Sequence, residues 1–200
     1  MSDRINHICI ILLAAGQSSR LGRPKQLLQY GGESLVYHAA RVALEAGMGP
    51  VMVVTGANSS SVELALKGCD VDLAFNPQWE EGMGASIRFG ATTALERFPG
   101  TDGLLLMVCD QPFIHAGHLQ HLWETQAETR KPIVTSEYAG IRGTPALYHA
   151  SLFEELKALG GDKGARPLLE RHAMDIAVVP FALGLTDIDT EADYENLLRN

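Results

Sequence analysis

Leu13-Ala14-Ala15-Gly16-Gln17-Ser18-Ser19-Arg20-Leu21-Gly22-Arg23-Pro24-Lys25 continues without a break from an apolar run over residues 8–13. Such a run, emptying into small residues, is the pattern of a buried strand that ends in a tight loop. Small residues let backbone N–H groups come close to a phosphate chain, and Arg20, Arg23 and Lys25 supply cations to neutralise it. The pattern points to nucleoside triphosphate chemistry in a loop that is not a P-loop. Five residues separate Gly16 from Gly22 where that motif has four, and no Gly-Lys-Ser/Thr follows. No G-x-G-x-x-G is present either.

Outward from this loop, short aliphatic runs at 8–13, 51–55, 71–75, 104–108 and 133–135 alternate with helical patterns at 34–46, 59–66, 85–97 and 117–128. Runs that are apolar on both faces, separated by amphipathic helices, predict an α/β fold. The expected architecture is a doubly wound, mostly parallel sheet with helices on both faces, as one domain over residues 1–200. From residue 136 the alternation weakens as Gly140, Gly143, Pro145, Gly160, Gly161, Gly164 and Pro167 break the chain. The expectation is a core of about 7–136 and a capping, acceptor-binding region of about 137–200.

With 200 residues, 46% of them hydrophobic and 20% charged, the chain has the composition of an ordinary soluble domain. A formal net charge of -8 argues against a nucleic-acid partner. An acidic protein that handles an anionic nucleotide must gather its positive charge locally, as Arg20, Arg23 and Lys25 do. Cys9, Cys69 and Cys109 form no disulfide or zinc pattern, which fits a reducing cytoplasm. The apolar run near the N-terminus is too short to span a bilayer, so no membrane association is expected.

In doubly wound sheets ligands bind beyond the carboxyl ends of the strands, so the segments after each strand carry the functional search. Asp110 follows residues 104–109 directly, where its hard oxygens suit Mg²⁺, although Asp before a Pro-containing bend is also a common turn former. Asp187-Ile188-Asp189-Thr190 precedes an acidic helix start. Asp187 and Asp189 share a face if extended, and either Asp189 is a second metal ligand or this segment is a helix cap. In the loop after 71–75, Gly82 and Gly84 would let a planar base lie against backbone, with Ser86 at its edge or serving as an N-cap. His115, His118 and His121 lack the i,i+4 spacing of helical metal motifs and read as a partly exposed helix face.

Six segments in this order resemble the MobA-like nucleotidyltransferases, and among them the molybdenum cofactor cytidylyltransferase (MocA-type) branch. They are Leu13-Ala14-Ala15-Gly16 through Lys25; Asn76-Pro77 with Trp79 and Gly82-Met83; Asp110-Gln111-Pro112; Arg142-Gly143-Thr144-Pro145; Gly161-Asp162-Lys163-Gly164-Ala165-Arg166; and Asp187-Ile188-Asp189-Thr190. The resemblance implies a nucleotide-diphospho-sugar transferase-like variant of the Rossmann fold. The activity it implies is Mg²⁺-dependent transfer of CMP from CTP to the terminal phosphate of molybdopterin carrying molybdenum. Pyrophosphate is released, the cytosine dinucleotide cofactor forms, and a molybdenum hydroxylase is the enzyme it would supply.

By the same resemblance Leu13, Ala14, Ala15, Gly16, Gln17, Ser18 and Lys25 bind nucleotide, with Gly82 and Ser86 at the cytidine. Lys25, Arg20 and Asp110 are the expected catalytic residues, Asp110 and Asp189 the metal ligands. Arg142, Gly143, Lys163 and Arg166 would hold the acceptor. Guanylyl-transferring relatives usually carry Ala-Gly-Gly where this chain has Ala14-Ala15-Gly16, which favours CTP over GTP. Two features depart from the branch: Glu191 stands where it usually has Pro, and Arg23-Pro24-Lys25 looks more like sugar-nucleotide relatives. The alternatives are a cytidylyl- or other nucleotidyltransferase for a sugar- or polyol-phosphate, and a non-catalytic chaperone that carries the cofactor.

Overall fold

The computed structural model describes residues 5–18, 21–188 and 190–199. Its centre is β1 (Ile8–Ala14), buried along its whole length. Successive side chains point to opposite faces, and each face has its own core. Ile8, Ile10, Leu12 and Ala14 enter one, and Cys9, Ile11 and Leu13 the other. A strand apolar on both sides can be stable only with helices on both sides, and that is the arrangement found.

After β1 come the short hairpin β2 (Gln29–Tyr30) and β3 (Glu33–Ser34), then α1 (Leu35–Glu45), β4 (Val51–Thr55), α2 (Ser59–Ala65) and β5 (Asp72–Phe75). They are followed by α3 (Met83–Arg97), β6 (Gly103–Val108), α4 (Ala116–Thr129), β7 (Ile133–Tyr138) and β8 (Ile141–His149). The chain closes with α5 (Phe153–Lys157), α6 (Arg166–Arg171), β9 (Ile176–Pro180) and α7 (Glu191–Arg199). The main sheet has the order β5-β4-β1-β6-β8-β7-β9. β1 pairs in parallel with both β4 and β6, and β8 runs antiparallel to both of its neighbours. Helices α1, α2 and α4 cover one face; α3, α5 and α6 cover the other.

The mostly parallel sheet covered on both faces is therefore the architecture expected from the sequence. Ser34, at the expected start of the first helix, is its N-cap: its Oγ accepts from the Tyr37 N–H at 3.3 Å. One expectation needs correction. Residues 137–149 are no cap, because β7 continues to Tyr138 and β8 is inserted between β6 and β7 in the sheet itself. β9, further on, pairs in parallel with β7.

Gly143 and Pro145 hid β8, and the structure explains both. A Cβ on Gly143 would lie 2.3 Å from the Tyr138 hydroxyl. Pro145 cannot donate, but its carbonyl accepts from the Ser136 hydroxyl at 2.8 Å, beside a register shift in β7.

His115 and His121 are exposed, as expected of a partly exposed face, but His118 between them is buried on α4. Its Nε2 lies 2.7 Å from Ser136 Oγ, and its ring stacks on Phe181 with centroids 4.5 Å apart. Burial first, then His115 and His121, push its pKa down from 6.5 to about 4. Between these values the unfolded chain binds the extra proton and the folded chain does not, so stability falls as pH falls through this window. At about 1.4 kcal/mol per pKa unit, the expected loss is about 3 kcal/mol. Urea denaturation of the wild type and of His118→Gln between pH 7 and 4 measures it, and the variant should show the shallower slope.

Candidate active site

Beyond the carboxyl ends of β1 and β6 lies a cavity of about 420 Å³. It sits where the strand order reverses, with β4 and β5 on one side of β1 and β6 on the other. Leu13, Ala14, Ala15, Gly16, Gln17, Ser18, Lys25, Gly82 and Ser86 all line it, together with Asp110. Every residue expected to contact nucleotide is thus on one wall or another of a single space.

The loop after β1 closes on itself through side chains. Ser18 has φ +59°, and its Oγ accepts from the Lys25 N–H at 3.0 Å, returning the chain to the cavity at the start of a single 3₁₀ turn, Lys25–Leu27. The Lys25 ammonium then reaches across to Asp110, just past the end of β6, and pairs with its carboxylate. Both side chains are largely buried, at 21% and 13% exposure. Asp110 already holds a cation, therefore, in a place where hard oxygen donors face the cavity.

Arg23 is turned elsewhere. It pairs with Glu191 at 2.5 Å and lies over the Tyr194 ring at 5.1 Å, so it ties the loop to α7. Glu191, the departure from the family's proline, has this partner as its structural role. Ile188, fully buried against Leu28, Leu35 and Leu197, fastens the C-terminal segment to the same loop. Thr190 and Asp193 form the capping box of α7, with the Thr190 N–H donating to Asp193 Oδ2 at 2.8 Å. Arg20 and Asp189 lie outside the described residues. Asp187 is described: burial first, then Asp187 and Asp110, raise the Tyr138 phenol above its ordinary pKa, which brings both carboxylates within electrostatic reach of one ring.

The base-side loop has a different construction from the one expected. Gly82 has φ +103° and precedes α3, which begins two residues before the expected start. A Cβ on Gly84 would lie 2.5 Å from the Gly160 carbonyl oxygen, and the Gly84 N–H donates to Gly161 O at 2.8 Å. Gly84 therefore admits another segment of the chain. Gly84→Ala is expected to cost about 1–3 kcal/mol by overpacking, seen as a fall of several degrees in thermal unfolding. Ser86 is buried inside α3, where its hydroxyl accepts from Asn76 Nδ2 at 3.2 Å, and it is no N-cap.

The acceptor candidates do not converge on the cavity. Arg142 donates to the Ala173 carbonyl at 3.2 Å, Gly143 packs against Tyr138, and Arg166 pairs with Glu170 at 3.0 Å in solvent. Lys163 is exposed, and its neighbour Asp162 is the residue of that segment that lines the cavity. The sequence signal for Asp162 was the pair Gly160-Gly161 ahead of it, small enough to lie against Gly82 and Gly84. Cys109 also lines the cavity, but burial pushes its thiol up to about 12, which removes it as a nucleophile. Among the described residues no three His, Cys, Asp or Glu side chains form a closed metal site, and no helix is long and apolar enough to cross a membrane.

The chain is similar to several known proteins. Purine catabolism protein PucB of Bacillus subtilis (strain 168) is 29% identical, over 94% of this chain and 95% of its own. Nicotine blue oxidoreductase of Paenarthrobacter nicotinovorans is 30% identical, over 94% and 90%. A probable molybdenum cofactor guanylyltransferase of Opitutus terrae (strain DSM 11246 / JCM 15787 / PB90-1) is 31% identical over 58% of this chain and 54% of its own. Rv0371c from Mycobacterium tuberculosis H37Rv superposes with a TM-score of 0.83 at 30% identity, covering 98% of this chain and 100% of its own. Its structure in complex with manganese superposes at 0.80, with 28% identity and coverage of 97% and 99%. The model of the MobA-like NTP transferase domain matches residues 10–176, a span that takes in both sides of the cavity, and by that match the chain belongs to the MobA-like NTP transferase family of nucleotidyltransferases.

Proposed function

We propose that the chain transfers CMP from CTP to the terminal phosphate of molybdopterin carrying molybdenum, forming the cytosine dinucleotide cofactor. In this reaction an oxygen of the acceptor phosphate bonds to the α-phosphorus of CTP, the bond to the β-phosphate oxygen breaks, and pyrophosphate leaves. The attacking oxygen is already ionised near neutral pH, so no general base is needed. The protein's contribution is positioning and neutralisation of charge. Lys25 is the cation for the α-phosphate, and Ala14 to Ser18 supply backbone to the phosphates.

A divalent ion fits Asp110, whose oxygens face the cavity and already hold an ammonium in its place. Mg²⁺ bound there would offset phosphate charge, with Asp187 or Asp189 as the second carboxylate. Rv0371c, a similar protein, takes manganese. On the acceptor side Lys163 adjoins Asp162, which lines the cavity, with Arg142, Gly143 and Arg166 contributing only if their segments move toward the bound acceptor. In the cell this reading places the protein in the cytoplasm, supplying a molybdenum hydroxylase.

Ala15 carries the choice of base. It lies in the cavity wall at 6% exposure, and by the family resemblance it stands where guanylyl-transferring relatives carry a glycine. The test is pyrophosphate release with Mg²⁺, acceptor and each nucleoside triphosphate in turn. CTP should be preferred, and Ala15→Gly should raise the use of GTP relative to CTP by about tenfold, the scale of one methyl in a pocket. Preference for GTP by the wild type overturns the base assignment. Turnover with a sugar- or polyol-phosphate and none with molybdopterin overturns the acceptor.

A further inference from the structure

Gln26 has no part in the chemistry above, yet it is a polar side chain only 1% exposed at the base of the phosphate loop. Its Nε2 donates to Ala14 O at 3.1 Å and to Gly16 O at 2.6 Å. Its Oε1 accepts from the Ser18 hydroxyl at 3.4 Å, and that hydroxyl accepts from the Lys25 N–H. The partners settle the amide's orientation, because the reverse would set its oxygen against two carbonyl oxygens.

In a planar trans peptide the C=O and the following N–H point in opposite directions. Holding the Ala14 and Gly16 carbonyls on Gln26 therefore turns the N–H groups of Ala15 and Gln17 away from it. Among the described residues neither N–H has a hydrogen-bond partner. Two unpaired donors on the wall of a cavity are a place for an anion.

We propose that Gln26 is a positioning residue: building on the nucleotidyl-transfer reading, it aims the Ala15 and Gln17 N–H groups at the phosphates of the nucleotide. It touches no phosphate itself and acts through the two carbonyls it holds. Lys25 adjoins it in sequence, so one short segment delivers both the cation and the brace that shapes the opposite loop.

Calorimetric titration of the wild type, Gln26→Leu and Gln26→Glu with CTP, inorganic pyrophosphate and cytidine tests the proposal. Both variants should bind CTP and pyrophosphate about tenfold or more weakly, the scale of two misdirected hydrogen bonds, and cytidine as before. Equal weakening toward cytidine would show a merely structural role and overturn the proposal, as would unchanged affinity for CTP. In the wild type, pyrophosphate should shift the amide proton resonances of Ala15 and Gln17 downfield, and this decides the matter if either variant fails to fold. A wild type that binds CTP without moving those two amides overturns the role of Gln26 alone. A wild type that binds no nucleoside triphosphate overturns the transfer reading and this proposal with it.

Discussion

Lys25→Ala is expected to keep its fold and to lose about 10²–10³ in turnover at saturating CTP, the usual consequence of removing one donor that stabilises developing charge. The ammonium stands on the cavity wall, delivered by the turn after Pro24 and paired with Asp110 across the space. Stability should fall modestly, by about 1–2 kcal/mol, because the Asp110 carboxylate left without its partner is 13% exposed but lines the cavity, where water can replace the ammonium. Pyrophosphate release measures the loss, and a thermal melt within a few degrees of wild type shows that it is not unfolding. Turnover at the wild-type rate would remove Lys25 from the chemistry.

Asp110→Asn is expected to act on two quantities in opposite directions. Without its carboxylate the site should lose Mn²⁺ affinity, and turnover should fall by about 10²–10³, as for Lys25. The pair as it stands also has a cost for the nucleotide: an ammonium bonded to Asp110 must release it to meet a phosphate. Removal of the competing carboxylate frees Lys25, so metal-free CTP should bind a few-fold more tightly, the scale of one partly exposed ion pair. Calorimetry with CTP in the presence of a chelator, beside Mn²⁺ titration followed by electron paramagnetic resonance, separates the two effects. If both affinities fall together, Asp110 supports the loop and is not a metal ligand.

The main features of the fold were legible where local and global requirements agree. The run 8–13 is apolar on every residue, and only a strand covered on both faces accommodates that; Ser34 caps the helix it precedes. β8 was not legible, because Gly143 and Pro145 obey partners that sequence spacing does not reveal: a tyrosine hydroxyl five residues back and a serine hydroxyl on the neighbouring strand.

The candidate site divides in the same way. Small residues beside a strand end pointed to a ligand loop, and that loop, Lys25 and Asp110 line one cavity. Gln26, one polar residue in the run Lys25-Gln26-Leu27-Leu28, drew no reading from the sequence, because its partners are backbone carbonyls ten and twelve residues away. Arg142 and Arg166 were expected to converge on the acceptor because they are cations in matching segments. The strand and the short helix that carry them point both charges to other partners.

The most direct measurement is transfer of label from the α-phosphorus of radiolabelled CTP, with Mg²⁺, to molybdopterin carrying molybdenum. The expected result is one labelled CMP joined to the acceptor for each pyrophosphate released, with the label lost in Lys25→Ala. Label that stays on the nucleotide with every triphosphate and every phosphorylated acceptor offered would contradict nucleotidyl transfer by this chain.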